Sequence, residues 1–587
     1  MTAPSILRLF LLLGGSLCSP LLLRAQTTSV PWTWVQRGQG PLGNEGRSVA
    51  VDAAGNAYVT GYFRQSLTVG ATTLRTDSLD AFLLKYSPQG QVLWARQLGA
   101  SRQAIGFHVA VDAVGNSYVT GLFRGTLQLG TLSLTSASAG DEFLVKYSPQ
   151  GTPLWAHQDS DSAPRFRLSS PLPIQPAQEM RVAVDAQGNV YTANRFWGTT
   201  QRGAARFTAY GACDALLVKY TPQGEVQWAR QGGGTGNDYA ADLAIDATGN
   251  IFLVGGFTTD AKFGTIALTA WAEPRAQNYN LYVLKYDAQG TPLWGQALVS
   301  HQLNTYYSVN AVGVDASGNA YVLGGFLPSL TIGATTFSLP SASSGHVFLA
   351  KYDPQGAVQW AQMAGSAPPN TILVSGGQDL AVAADGTTTL TGMYTQQMNF
   401  GALHLGTPGA INQLYVARYS PQGSVLWAGR AGGGRAYPTF SGNVNGGYGV
   451  ATTGAETSYV TGGFGGRADF GPFVLDSTAT AQPTLFVAKL GAATALATGT
   501  AVLVSTPQLR VYPNPTTGAV VDIALTAAPV EAHELRVLNG LGQLVFQQAS
   551  AAGTTQWKLP TTGFRPGLYR VQVLGTSRRW SQPLLIR

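Results

Sequence analysis

One phrase recurs along this chain of 587 residues: Val51-Asp52-Ala53-Ala54-Gly55-Asn56-Ala57-Tyr58-Val59-Thr60-Gly61. In the first copy it is followed by Phe82-Leu83-Leu84-Lys85-Tyr86-Ser87-Pro88-Gln89-Gly90 and then Val92-Leu93-Trp94-Ala95-Arg96. Glycines at 115, 188, 249, 318 and 386 hold the place of Gly55, and a seventh, degenerate copy reads Ser458-Tyr459-Val460-Thr461-Gly462. Copies stand 60 to 73 residues apart. Each offers four runs of alternating, β-branched or aromatic residues, which read as strands over 48–52, 57–63, 81–86 and 91–97 in the first copy.

The turns make these strands hairpins. Ser87-Pro88-Gln89-Gly90 has counterparts ending in Gly151, Gly224, Gly290, Gly356 and Gly423, with Gln always third and Pro mostly second. Pro presets a type I turn, the short polar first residue accepts a local hydrogen bond, and Gly takes the left-handed position that follows. Asp52 to Gly55 repeats that logic between the first two strands. A lone four-stranded unit cannot bury both faces, and radial stacking around an axis solves this.

The seventh copy ends with its third strand, Leu485-Phe486-Val487-Ala488-Lys489-Leu490, and Trp32-Thr33-Trp34-Val35-Gln36-Arg37-Gly38 supplies the missing Trp-bearing piece. The expectation for residues 31–490 is therefore an all-β, seven-bladed β-propeller closed by its N-terminal strand, with no open edge.

Composition agrees and sets limits. Charged residues are 11% of the chain, against ~25% in soluble domains, and there are 72 glycines, which disfavours long solvated helices. Formal charge is +7 without any Lys/Arg-rich run, so nucleic acid is not an expected partner. Residues 1–25 read as a secretory signal peptide with cleavage after Ala25; a lipid anchor at Cys18 fits less well, because Leu17 occupies a place that asks for a small residue. Cys213 is then the single thiol of the mature chain, and stability rests on packing.

The repeat resembles the bacterial seven-bladed β-propeller repeat family, and more distantly the NHL repeat, over about residues 32–490. Copies six and seven depart from it, with Ala383 and Thr387 in place of Asp and Asn. The resemblance implies a scaffold and no particular reaction.

A linker over 491–506 separates the ring from residues 507–587, whose short alternating strands suggest a small Ig-like β-sandwich. Val511-Tyr512-Pro513-Asn514-Pro515 with Gly518, Leu538-Asn539-Gly540-Leu541-Gly542-Gln543-Leu544-Val545, and Gly567-Leu568-Tyr569-Arg570-Val571 resemble the type A C-terminal sorting domain of the type IX secretion system. That resemblance makes Pro513, Asn514, Pro515, Gly542, Gly567 and Tyr569 the sorting motif. It implies the secretion machinery as partner, and a secreted or surface-displayed product.

No catalytic residue set, metal site or cofactor motif is legible. The six histidines show no short ligand spacing, no nucleophile elbow or phosphate loop occurs, and Cys213 has no His beside it in sequence. Asp52, Asp112, Asp185, Asp246 and Asp315 read as turn caps, and the repeated tryptophans as packing between blades. The cation ending each third strand (Lys85, Lys146, Lys219, Lys285, Lys351, Arg418, Lys489) sits two strands from the repeat Asp, roughly 9–10 Å, so its stem is expected to lie along the strand with the ammonium in water. An anion-binding ring is the competing role.

The face formed by the longer connections carries Arg165, Phe166, Trp197, Tyr239, Tyr306 and Tyr437 on different copies, and these types either anchor a ligand or pack their own loops. The function expected is a binding or scaffold protein for an extracellular glycan or protein. The alternative is a propeller enzyme acting on polysaccharide, which needs a carboxylate pair; Asp159, Asp161, Asp238, Asp260 and Glu273 are scattered over several copies.

Overall fold

The computed structural model describes residues 32–136, 140–160, 179–271, 279–298, 306–339, 345–365, 376–395, 397–406, 412–432, 445–477, 483–491, 509–525, 533–539, 543–574 and 579–587. The signal-peptide and linker expectations lie outside these residues. Among the described residues no helix is long and apolar enough to cross a membrane. The chain divides into two compact units, Met1–Ala493 and Thr494–Arg587.

The first unit is all-β and propeller-like. Asn44–Val51, Ala57–Val69, Thr72–Tyr86 and Val92–Ala100 form an antiparallel meander in that order. Gln103–Val111, Ser117–Arg124, Asp141–Tyr147 and Pro153–Asp159 repeat it, and so do the later copies. In the last sheet, Gly446–Thr452, Ser458–Phe464 and Thr484–Leu490 are joined by Trp32–Arg37, with Trp34 opposite Lys489 and Arg37 opposite Phe486.

The third strands Asp141–Tyr147, Asn280–Tyr286 and Gln413–Tyr419 are buried along their whole length, because apolar neighbours cover both faces. Packing between neighbouring units follows from one repeated contact. The turn glycine Gly90 adopts φ +83°, and a Cβ there would stand 2.7 Å from the Trp34 ring; Gly423 lies over Trp360 in the same way, at 2.8 Å. The glycine thus serves both the left-handed backbone and the close approach of an indole. Within this first unit the last four-stranded sheet meets the first copy of the repeat in the same way: Tyr459 Oη donates to the Gly55 carbonyl at 2.8 Å, and Trp34 Nε1 to the Pro88 carbonyl at 2.9 Å.

The connection from second to third strand departs from expectation. Instead of free loops, the chain builds a second hairpin, seen as Thr126–Leu129 with Leu132–Thr135 and as Gln397–Phe400 with Leu403–Gly406. Gly70, Gly130 and Gly401 sit at the first turn position with φ between +57° and +59°, the signature of a type II′ turn. Leu67, Val69 and Leu74 of the first such hairpin pack with Tyr86 and Ala95. Trp197, expected on one of the longer connections, accordingly lies in the strand Val190–Arg202, paired with Ala205–Tyr220.

The second unit holds two sheets. Leu509–Tyr512, Val520–Leu525 and Gln556–Pro560 form one, and Leu544–Ser550, His533–Leu538, Gly567–Leu574 and Arg579–Ile586 the other. Val521, Ile523, Leu535, Val537, Trp557, Val571 and Leu584 share one core.

Candidate functional site

The repeat's polar residues turn inward. Asp52 Oδ1 accepts from the Asn56 backbone amide at 2.8 Å, its Oδ2 from Asn56 Nδ2 at 2.8 Å, and Tyr58 Oη reaches the Gly115 carbonyl of the next unit at 2.9 Å. This is turn capping extended to the neighbouring unit.

The cations correct the expectation that the repeat Asp is out of reach. The Lys85 stem crosses the Tyr58 ring, with Nζ 4.6 Å from its centroid, and arrives 3.6 Å from Asp52 Oδ2 and 3.4 Å from the Pro149 carbonyl. A four-carbon stem spans the intervening strand, which a backbone separation alone does not convey. Lys285 and Lys351 make the same pairs with Asp246 and Asp315. Where the Asp is missing, Lys489 donates to the Pro88 carbonyl and Arg418 to Ser458 Oγ. These groups are satisfied inside the protein, which leaves no exposed ring of positive charge for an anion.

The residues expected to bind are not alike. Tyr239 is 4% exposed and stacks edge-on against Tyr279, so it is a core residue. Trp197 is half-buried in its strand opposite Cys213, with the Arg195 guanidinium 4.6 Å over its ring. Tyr306 begins a strand opposite Leu327. Arg165, Phe166 and Tyr437 lie outside the described residues. Burial pushes the Cys213 thiol up, as expected of a packed cysteine.

A cluster that no motif announced lies on the first strands. Arg47 and Arg181 come from different copies, as do Glu45, Glu179, Asp242 and Asp379. Arg47 sits 3.4 Å from Glu45 and 3.8 Å from Glu179, with Tyr62 and Tyr448 beneath its guanidinium. Burial raises Asp242 to about 6 and Asp379 to about 7 against the pull of Arg181, while burial and Arg181 lower His108 to about 3. Asp242 and Asp379 each accept the backbone amide of a neighbouring unit, Val312 and Val450, both at 2.8 Å. The cluster joins units at the strands nearest each other.

Asp214 and Asp238 also meet, on either side of Gly233, and burial raises Asp238 to about 7. Both are fully buried, and they hold backbone amides of Tyr210 and Gly234. A carboxylate pair sealed from solvent cannot reach a glycosidic bond. Among the described residues, no group of three or more His, Cys, Asp or Glu could hold a metal.

Residues 510–587 match the secretion system C-terminal sorting domain, and residues 93–122 match the β-propeller repeat. The chain thus carries both, and the sorting domain implies export by the type IX secretion system to the surface or beyond. Of the residues expected to form the sorting motif, Asn514 Oδ1 accepts the Leu585 amide at 2.9 Å and Tyr569 Oη donates to the Arg565 carbonyl at 2.8 Å, while Gly567 pairs with Ile586 and Gly542 lies outside the described residues. An uncharacterized WD repeat-containing protein of Acanthamoeba polyphaga mimivirus is 28% identical over 208 residues, 33% of this chain and only 15% of that protein. Similar solved structures include the quinohemoprotein alcohol dehydrogenase of Comamonas testosteroni (12% identity, TM-score 0.31, 83% of this chain and 79% of that one). YCF48 bound to a D1 peptide is another (10%, 0.33, 80% and 100%), as is a puromycin hydrolase variant (11%, 0.35, 84% and 61%).

Proposed function

We propose that residues 31–490 form a seven-bladed propeller closed by strand Trp32–Arg37, delivered outside the cell by residues 507–587, an Ig-like sorting unit, after a signal peptide over 1–25. The propeller is a binding or scaffold module for an extracellular glycan or protein. Its site is the face of the longer connections, with Trp197 at its centre and Arg165, Phe166, Tyr306 and Tyr437 on other blades. The observation that carries this reading is the Arg195–Trp197 stack: a half-buried indole fixed in a strand with a guanidinium over it, a rigid aromatic–cation platform. Tyr239 belongs to the support beneath.

The test is to probe the full chain against an array of glycans and surface proteins, then to repeat it with Trp197→Ala. Binding should fall by about 2 kcal/mol or more with the fold intact. Unchanged affinity would remove Trp197 from the site, and turnover of an arrayed polysaccharide would replace the binding reading with the enzymatic one.

A further inference from the structure

Among the described residues the C-terminal unit has four outer strands, and three are guarded against further pairing. Leu509–Tyr512 is four residues long, carries Arg510 and runs into Pro513 and Pro515. Gln556–Pro560 carries Lys558 and ends in proline. Arg579–Ile586 carries Arg579 and Pro583, and Thr516 covers its end, with the Thr516 amide donating to the Leu585 carbonyl at 2.9 Å. Shortness, basic side chains, proline and covering segments are the means by which sheet edges are kept from adding strands.

Among the described residues the fourth edge has none of them. Leu544–Ser550 reads Leu-Val-Phe-Gln-Gln-Ala-Ser, seven residues without charge or proline, paired among the described residues only with His533–Leu538. Leu544 is 48% exposed and Val545 39%, and Phe546 alone leans on the core. A free, uncharged, apolar edge is a template for strand addition, in which main-chain hydrogen bonds supply affinity and alternate side chains set the register.

We propose that Leu544–Ser550 is the edge through which the C-terminal unit is recognised, by adding it as a strand to a component of the export machinery that offers an uncharged, apolar β-edge of its own. This rests on the reading of residues 507–587 as an export address. That reading gives the unit one partner it must meet, and an edge without charges can be desolvated against such a strand without stranding an ion.

The experiment compares the full chain in a type IX-competent host with three variants: Val545→Lys combined with Ala549→Lys, Gln556→Lys on an already guarded edge, and deletion of 507–587. Surface and medium fractions are measured against the periplasm, with melting and sedimentation of each purified protein. The paired lysines should lower export about tenfold at unchanged melting, since a buried unpaired ammonium is costly, and Gln556→Lys should export normally. Normal export of the paired-lysine variant overturns the proposal, as does a change from dimer to monomer with export unaffected, which would make the partner a second copy. Should the pair melt early, Val545→Lys alone is measured in its place, with the same tenfold loss expected and normal export again overturning the proposal. Normal export of the deletion would instead overturn the address itself.

Discussion

At most junctions between neighbouring units an indole is held by the next unit's turn: Trp94 donates to the Pro149 carbonyl, Trp155 to Pro222, Trp294 to Pro354 and Trp360 to Pro421. The junction beneath Trp427 is built differently. The last sheet receives its fourth strand from the N-terminus, so no turn links Leu490 to Trp32, and Trp427 Nε1 is buried with no acceptor among the described residues. Trp32 shares that core cluster instead, and Arg418 takes the place of the third-strand lysine: where Lys85 lies over the second-strand Tyr58 ring, the Arg418 guanidinium stands 5.2 Å over Trp427. Supplying the fourth strand of the last sheet from the N-terminus therefore goes with one indole N–H left without an acceptor among the described residues.

The largest test of that difference removes the closing strand. Deleting residues 31–38 strips Trp32, Trp34 and Val35 from the core. At ~1.5–3 kcal/mol per buried side chain, stability should fall by about 5 kcal/mol or more, measured by denaturant unfolding. A loss under about 1 kcal/mol would mean that the strand decorates the last sheet without closing it.

Gly423→Ala places a methyl group against Trp360 at a left-handed backbone position, whereas at Gly401, φ +59°, a Cβ meets nothing within 4 Å. The first should cost about 2–4 kcal/mol and the second about 1, the difference being the clash. Equal costs would show that the turn does not press on the indole. A finer comparison uses Trp360→Phe and Trp427→Phe: only the first loses a hydrogen bond, so it should be about 1 kcal/mol more destabilising.

The smallest effect is on pH dependence. Asp242 and Asp379 have folded pKa values of about 6 and about 7, above the ~3.9 of an unfolded chain, so the folded state holds their protons more tightly. That contribution is full below pH ~4 and is lost as pH rises toward 7. Asp379→Asn should flatten this part of a stability–pH curve, and an unchanged slope would place the titration elsewhere.

Turn chemistry is the legible part of the fold, because Pro88, Gly90 and Asp52 act through their own backbone and nearest neighbours. The type II′ hairpins escape a reading of the sequence although Gly70 and its counterparts recur: the surrounding residues vary, and the glycine reads as loop until the strands on either side are seen to pair. The cation–Asp pairing escapes it too, since strand spacing says nothing of side-chain reach. The cluster of Arg47, Arg181, Asp242 and Asp379 leaves no local trace, as its members come from separate copies and meet only through the packing of whole units. Of the residues expected to bind, Tyr239 illustrates the same limit: its type suits an interface, and its place in a first strand makes it core.

The central claim is that Trp32–Arg37 completes the last sheet, and hydrogen exchange on the unmodified full chain addresses it directly. Amides of residues 33–37 that bond to Thr484–Leu490 should exchange as slowly as those of Leu485–Lys489, since both belong to one buried ladder. Exchange at the rate of a free chain end, with Leu485–Lys489 still protected, would contradict it.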